Sequence, residues 1–254
     1  MGKFRLLTAL LFACLAMTGN AFASRHPQDG YFVGKTVASG TYSIPYAVYL
    51  PQGYTAKKQW PVILFLSGVG ETGNDGWKQT KNGLGPAIAA HPEWFAAIVV
   101  FPQCPDGLRW TSHMNSSDSH SPTVNDLVMT ALDQTLQEYS GDSQRVSLTG
   151  MSLGGAGAWA LAASKPNRFI TIVPLCGRVS PALAPKLVNK SIWVFHGAKD
   201  DVVPVDQSRA MVNALLADGA KNVRYTELPN LGHPIWDIVY NEAEVISFLL
   251  PLSF

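Results

Sequence analysis

The segment Gly150-Met151-Ser152-Leu153-Gly154 places a serine between two glycines, directly after the apolar run 146–149 and at the head of an Ala-rich stretch. Glycines at those two positions permit a strand-to-helix turn so tight that neighbouring backbone leaves no room for a Cβ, and the turn lifts the serine out of the sheet. A serine presented this way can attack a carbonyl carbon, provided that a base takes its proton and a carboxylate orients the base. The chain order that accompanies such a turn is serine, acid, base. Downstream of Ser152 the histidines are His196 and His233. His196 follows the apolar run 192–195 directly and reads as structural, whereas His233, in Leu231-Gly232-His233-Pro234, lies beyond the last expected strand and is the candidate base. Asp200 and Asp201 compete for the place of the carboxylate on the loop after Phe195. His26, His91, His113 and His120 precede the serine and do not fit that order. Alone, each residue has a plainer role, a helix-capping serine or a solvated loop histidine; it is their succession that favours chemistry.

Acyl transfer through such a serine passes through a tetrahedral oxyanion, which two fixed backbone N–H donors commonly stabilise. Leu153, next to the serine, is one expected donor. The other is Val69, in the Gly-rich loop Ser67-Gly68-Val69-Gly70-Glu71-Thr72-Gly73 that follows the apolar run 62–66. That loop lacks the Gly-Lys-Ser/Thr ending of a phosphate cradle. No cofactor is expected, and no metal site either, since neither Cys104 nor Cys176 has a second Cys or His at ligand spacing.

The elements that must position these residues are legible from Tyr42 onward. Short β-rich runs alternate with helical segments, which predicts an α/β class with a mainly parallel central sheet and helices on both faces. Residues 42–50 read as an edge hairpin, and 62–66, 97–101, 146–149, 170–174, 192–195 and 223–228 as central or parallel strands. Helices are expected at 124–139, where Thr123 and Asp126 form a capping-box start, and at 154–164, 207–218 and 241–250. The irregular stretch 106–122 is expected to overhang the site as a loop.

With 254 residues, 47% hydrophobic and 15% charged, the chain has enough apolar material for one core and no linker that would divide it. Lys3 and Arg5 precede a 12-residue apolar run that ends at Met17, and Ala21 and Ala23 flank Phe22, so residues 1–23 read as a cleaved signal peptide and 24–254 as a single domain. A membrane anchor would need about 20 apolar residues, and Leu11-Phe12-Ala13-Cys14 makes a poor lipidation box because Phe12 is bulky. Export, to a periplasmic or extracellular space, is the expectation. The formal charge of +1 becomes −1 once Lys3 and Arg5 are removed, which argues against nucleic acid or an anionic membrane as partner. Cys104 and Cys176 would then be the two cysteines of the mature chain, with their pairing left open.

Together these residues resemble the α/β-hydrolase superfamily, and more narrowly its small secreted esterases, among them the phospholipase/carboxylesterase and polyhydroxybutyrate-depolymerase-like groups. The landmarks are Tyr49-Leu50-Pro51, Leu66-Ser67-Gly68-Val69-Gly70-Glu71, Phe101-Pro102-Gln103-Cys104-Pro105, Gly150 through Gly155, His196-Gly197 with Asp200 and Val203-Pro204, and Gly232-His233. The resemblance implies Asp200 rather than Asp201 as the orienting carboxylate. It also implies a serine carboxylic-ester hydrolase that works through an acyl-enzyme on a small-molecule or polymer-linked ester. Serine peptidases and acyltransferases share the scaffold, and a non-catalytic binding protein on it usually lacks one of the three residues, all of which are present here. The chain departs from the pattern at Ser67, where relatives carry His, and at Thr72, where many carry Arg. Trp77, Trp110 and Trp236 fall on segments expected near the site, which opens aromatic or carbohydrate-linked esters, such as feruloyl or acetyl-xylan types; buried packing is the other role open to each.

Overall fold

The computed structural model describes residues 30–250, so the expected leader, Cys14 and His26 lie outside the described residues. The chain runs β1 (Tyr31–Ser39), β2 (Tyr42–Leu50), β3 (Trp60–Leu66), α1 (Leu84–Ala90), β4 (Ile98–Pro102), α2 (Val124–Glu138), β5 (Gly141–Met151), α3 (Leu153–Ser164), β6 (Thr171–Leu175), β7 (Ser191–Gly197), α4 (Asp206–Ala217), β8 (Val223–Leu228), α5 (Trp236–Val239) and α6 (Ala243–Leu249). The strands form one sheet in the order β1-β2-β4-β3-β5-β6-β7-β8. The β1–β2 and β2–β4 pairs are antiparallel and the rest are parallel.

Both faces of this sheet are covered, and the sequence of β3 shows why. Val62, Leu64 and Leu66 point into one apolar core while Ile63 and Phe65 point into the other, and none of the five is exposed to solvent. Complete burial of such side chains stabilises by about 1.5–3 kcal/mol each. The first core is closed by α2, α3 and α4, the second by α1, α5 and α6. Helix α2 starts at the expected box: Thr123 Oγ1 accepts from Asp126 N–H at 3.2 Å, and Asp126 accepts from Thr123 N–H at 2.9 Å.

Residues 42–50 are not a hairpin at the edge but a single strand, paired on both sides. The edge is β1, which has no continuous apolar run because Gly34, Lys35 and Thr36 interrupt it. Backbone pairing holds it instead, in unbroken register from Tyr31↔Leu50 to Ser39↔Tyr42. Strand β5 likewise begins at Gly141 rather than at 146, its first turn of residues being polar and partly solvated. The stretch 106–122 is irregular as expected, pinned by Met114 N–H to Pro122 O at 2.8 Å and by the bridge His113↔Thr123.

Because β3 through β8 run parallel, the loops that leave their carboxyl ends gather along one edge of the sheet. In open α/β sheets this edge is where ligands bind.

Candidate active site

At the end of β5 the chain reverses into α3 through Ser152, whose backbone sits at φ 55°, ψ −116°. A non-glycine residue there costs about 1–3 kcal/mol, a strain that persists only if its surroundings enforce it. They do so by contact. A Cβ on Gly154 would overlap the Leu66 carbonyl of β3, and one on Gly150 would overlap the Gly154 carbonyl, so strand, turn and helix are pressed backbone to backbone. Ser152 N–H donates to Leu175 O of β6 at 2.8 Å, anchoring the turn to the next strand.

Two further loops bring up the partners. His233 Nε2 lies 2.7 Å from Ser152 Oγ, and His233 Nδ1 lies 2.7 Å from Asp200 Oδ2. Since an ionised carboxylate can only accept, the Nδ1 proton faces Asp200 and the free Nε2 lone pair faces the serine hydroxyl. The loop of His233 follows β8 and the loop of Asp200 follows β7, and the two are stitched together: Lys199 N–H donates to Leu231 O at 2.9 Å, and Ala198 N–H to Leu228 O at 3.0 Å. Gly197 lies so close to Gly232 and Leu231 that any Cβ would strike their carbonyls.

Asp200 is the best-furnished group in the site. Its side chain is fully buried, and burial alone would raise its pKa. The hydrogen bonds from His233 and from the Val203 and Val202 N–H groups, the latter two at 2.8 and 2.9 Å to Oδ1, outweigh that and hold the carboxyl below its ordinary value. Asp201, its rival in sequence, is exposed. His196 is buried, as expected of a structural residue, and it also meets the acid. Its Nε2 is 3.1 Å from Asp200 Oδ2 and 2.9 Å from Val203 O, and its Nδ1 is 2.7 Å from Ser208 Oγ. Its imidazole is thus hydrogen-bonded at both nitrogens, to Val203 O and Ser208 Oγ, with the Nε2 edge set against the Asp200 carboxylate. Sequence alone gave no sign of this contact beyond the spacing of four residues.

Val69 and Leu153 each open a helix, a 3-10 turn at Val69–Glu71 and α3 respectively. The N–H of a first helical residue has no partner within its own helix. Both residues border the same cavity as Ser152, about 600 Å³ in volume, together with Gly107, Leu108, Arg109, Ala156, Arg178, Val202 and Val203. The 107–109 part of the long loop therefore borders the same cavity as the serine. The Gly-rich loop is fixed from behind, where Asn82 Nδ2 donates to the buried Glu71 carboxylate at 2.5 Å and Gln103 Nε2 to Glu71 O at 3.2 Å. The departure at Ser67 leaves its carbonyl accepting from Trp110 Nε1 at 3.2 Å.

Of the three tryptophans, Trp110 is buried and borders a second cavity of about 270 Å³ that shares part of its wall with the first. Trp77 and Trp236 do not line the serine's cavity. Trp77 lies across Gly34 of β1 and borders a separate space of about 400 Å³ with Tyr46 and Asp75, because β1, unseen in the sequence, draws it to the sheet edge. Trp236 packs edge-on to the His233 ring, centroids 5.6 Å apart, and supports it from the side.

Cys104 and Cys176 are unpaired and belong to opposite cores, on opposite faces of the sheet. Burial pushes each thiol pKa up to about 12, so both stay protonated. Cys176 Sγ donates to His233 O at 3.4 Å. Cys176, His196 and Asp200 have ligand atoms within 4.8 Å of one another, yet a protonated thiol, an imidazole bonded at both nitrogens and a carboxylate with three donors form a satisfied hydrogen-bond cluster rather than a set of free metal ligands.

A model of the Esterase family, described as "Putative esterase", matches residues 41–227. The chain is 25% identical to the "Probable feruloyl esterase C" of Aspergillus terreus, over 90% of this chain and 80% of that protein. It is 23% identical to "Acetylxylan esterase A" of Emericella nidulans, over 70% of this chain and 57% of that one. A solved structure of a thermostable esterase superposes with a TM-score of 0.76 at 29% identity, covering 86% of this chain and 62% of that one. The chain thus spans under two thirds of the latter two proteins. The architecture is the α/β-hydrolase fold that the sequence motifs implied.

Proposed function

The chain belongs to the Esterase family and is a carboxylic-ester hydrolase, and from that premise we propose that Ser152 is its nucleophile, His233 its general base and Asp200 the group that orients the base. In this reading Ser152 Oγ attacks the ester carbonyl carbon while His233 Nε2 takes the hydroxyl proton. The resulting oxyanion is held by the N–H groups of Val69 and Leu153. Collapse of the tetrahedral species breaks the bond to the alcohol, which leaves with the proton returned from His233. Water, deprotonated by the same nitrogen, then attacks the acyl-enzyme and releases the acid and free Ser152. Asp200, kept ionised by its donors, stabilises the imidazolium that forms twice in each cycle.

The observation that carries this reading is the single imidazole bridging hydroxyl and carboxylate at 2.7 Å on each side. The names of the feruloyl and acetylxylan esterases suggest an acyl group esterified to a larger molecule as substrate. We further propose that residues 24–254 act as one domain after loss of a leader, placing the enzyme outside the cytoplasm. Among the described residues no helix is long and apolar enough to cross a membrane.

A fluorophosphonate probe followed by peptide mass spectrometry tests the assignment. Labelling is expected on the peptide bearing Ser152 and is expected to disappear in Ser152→Ala, with kcat on aryl esters down by at least about 10⁴-fold. Labelling elsewhere, or ester hydrolysis surviving in Ser152→Ala, would overturn it. Cleavage of amides but not esters would move the site to a peptidase, and acyl transfer to an added alcohol outpacing hydrolysis would make it a transferase.

A further inference from the structure

The arginines of the described chain fall into two sets. Arg145 is paired with Asp142, Arg168 with Asp133, Arg209 with Asp206 and Glu227, and Arg224 with Glu244. Arg109 and Arg178 have no carboxylate partner among the described residues. These same two arginines, one from the loop after β4 and the other from the loop after β6, border the cavity of Ser152. Both also border the adjoining cavity of about 270 Å³, so they belong to the wall that the two spaces share, with Leu153 and Ala156 as its rest.

Among the described residues no Asp or Glu lines either cavity. A solitary exposed guanidinium is ordinary. Two arginines from separate loops on a shared wall, without a carboxylate partner, make a local positive potential that an anion would relieve. Beyond the two arginines the second cavity offers Leu153, Val179 and Leu183 as apolar surface.

Resting on the reading of Ser152 as nucleophile, we propose that the substrate is an ester bearing a carboxylate, bound by Arg109 and Arg178, with the hydrocarbon of that arm in the second cavity. The planar guanidinium matches a carboxylate through two parallel N–H donors, which a lysine does not reproduce. The two arginines act on specificity and take no part in bond making.

Matched ester pairs test this on the full-length enzyme, each pair differing by one carboxylate. For the acyl arm the pair is p-nitrophenyl monoglutarate and p-nitrophenyl valerate; for the alcohol arm it is 3-acetoxybenzoate and 3-acetoxybenzamide. The readout is the ratio of kcat/KM, anionic over neutral, so a general loss of activity cancels. In the wild type one arm is expected to favour the anionic member about tenfold, with the ratio shrinking as salt is added. The ratio should fall to near one in the double variant Arg109→Gln/Arg178→Gln and be partly kept in Arg109→Lys/Arg178→Lys. Preference for the neutral member in both arms, or an anionic preference that the Gln double variant keeps, would overturn the proposal. Ser152→Ala assayed on the neutral esters separates the two readings. Hydrolysis persisting there sinks the nucleophile assignment, whereas its loss there, with no anionic preference in the wild type, sinks the arginine site alone.

Discussion

The turn at Ser152 and the loop at His233 meet at one hydrogen bond but are held in place by different physics. The turn is fixed by exclusion: Gly150 and Gly154 let carbonyls of neighbouring elements come so close that no other path for the chain remains. The loop of His233 is fixed by attraction, through Asp200 at its Nδ1, Cys176 at its carbonyl, Trp236 at its edge and the Lys199–Leu231 backbone bond. Exclusion resists perturbation until the fold itself gives way, whereas attraction can be weakened one bond at a time. In this molecule, therefore, changes to the glycines around Ser152 should register as stability and changes to the contacts of His233 as rate.

The largest expected effect is on the attraction side. Asp200→Asn removes the charge that fixes the tautomer of His233 and should lower kcat by about 10⁴-fold in steady-state assays while the protein stays folded by circular dichroism. Asp201→Asn, on an exposed side chain, should remain within about twofold. The same carboxylate carries a pH signature. Its pKa lies below the ordinary value, so its stabilising contribution is complete above about pH 4 and is lost as pH falls through the lowered pKa. Denaturant melts of wild type and Asp200→Asn should accordingly converge on acidification, and a gap that widened would contradict the sign.

On the exclusion side, Gly154→Ala should cost about 3 kcal/mol or more of folding stability, read from urea midpoints, because the new methyl has only backbone to displace. A variant as stable as the wild type would erase the distinction drawn above. A smaller effect on rate belongs to His196. His196→Leu removes the imidazole whose Nε2 lies 3.1 Å from Asp200 Oδ2 and should lower kcat about tenfold with KM little changed. More of the carboxylate charge then falls on His233, so the acid limb of the kcat/KM profile should move to higher pH, and His196→Gln, which keeps an amide donor, should move it back. A loss of activity with an unmoved profile would make His196 a packing residue only.

How much of this was legible in the sequence follows from the same contrast. Steric exclusion writes itself into residue type, and Gly-x-Ser-x-Gly after an apolar strand located the turn that presents Ser152, the proposed nucleophile, at once. The strands buried on both faces declared themselves through unbroken Val, Ile and Leu. The assignment of Asp200 over Asp201 was different in kind. Both are aspartates on one loop, and only the burial of one and the exposure of the other separates them, a property of the folded neighbourhood; resemblance to relatives supplied what spacing could not. Strand β1 went unseen because backbone pairing, not an apolar run, holds it, and its absence from the reading misplaced Trp77. The pairing of Glu71 with Asn82 and the isolation of Arg109 and Arg178 depend on which side chains lie across the fold from one another, and no local pattern reports that.

The positions of the two buried thiols carry a consequence for how the molecule can be made. With Cys104 on one side of the sheet and Cys176 on the other, the strands themselves form a partition that the sulfurs cannot cross without unfolding. No covalent staple is needed to reach or keep the described fold, so ordinary laboratory reductants should leave refolding yield and melting temperature untouched.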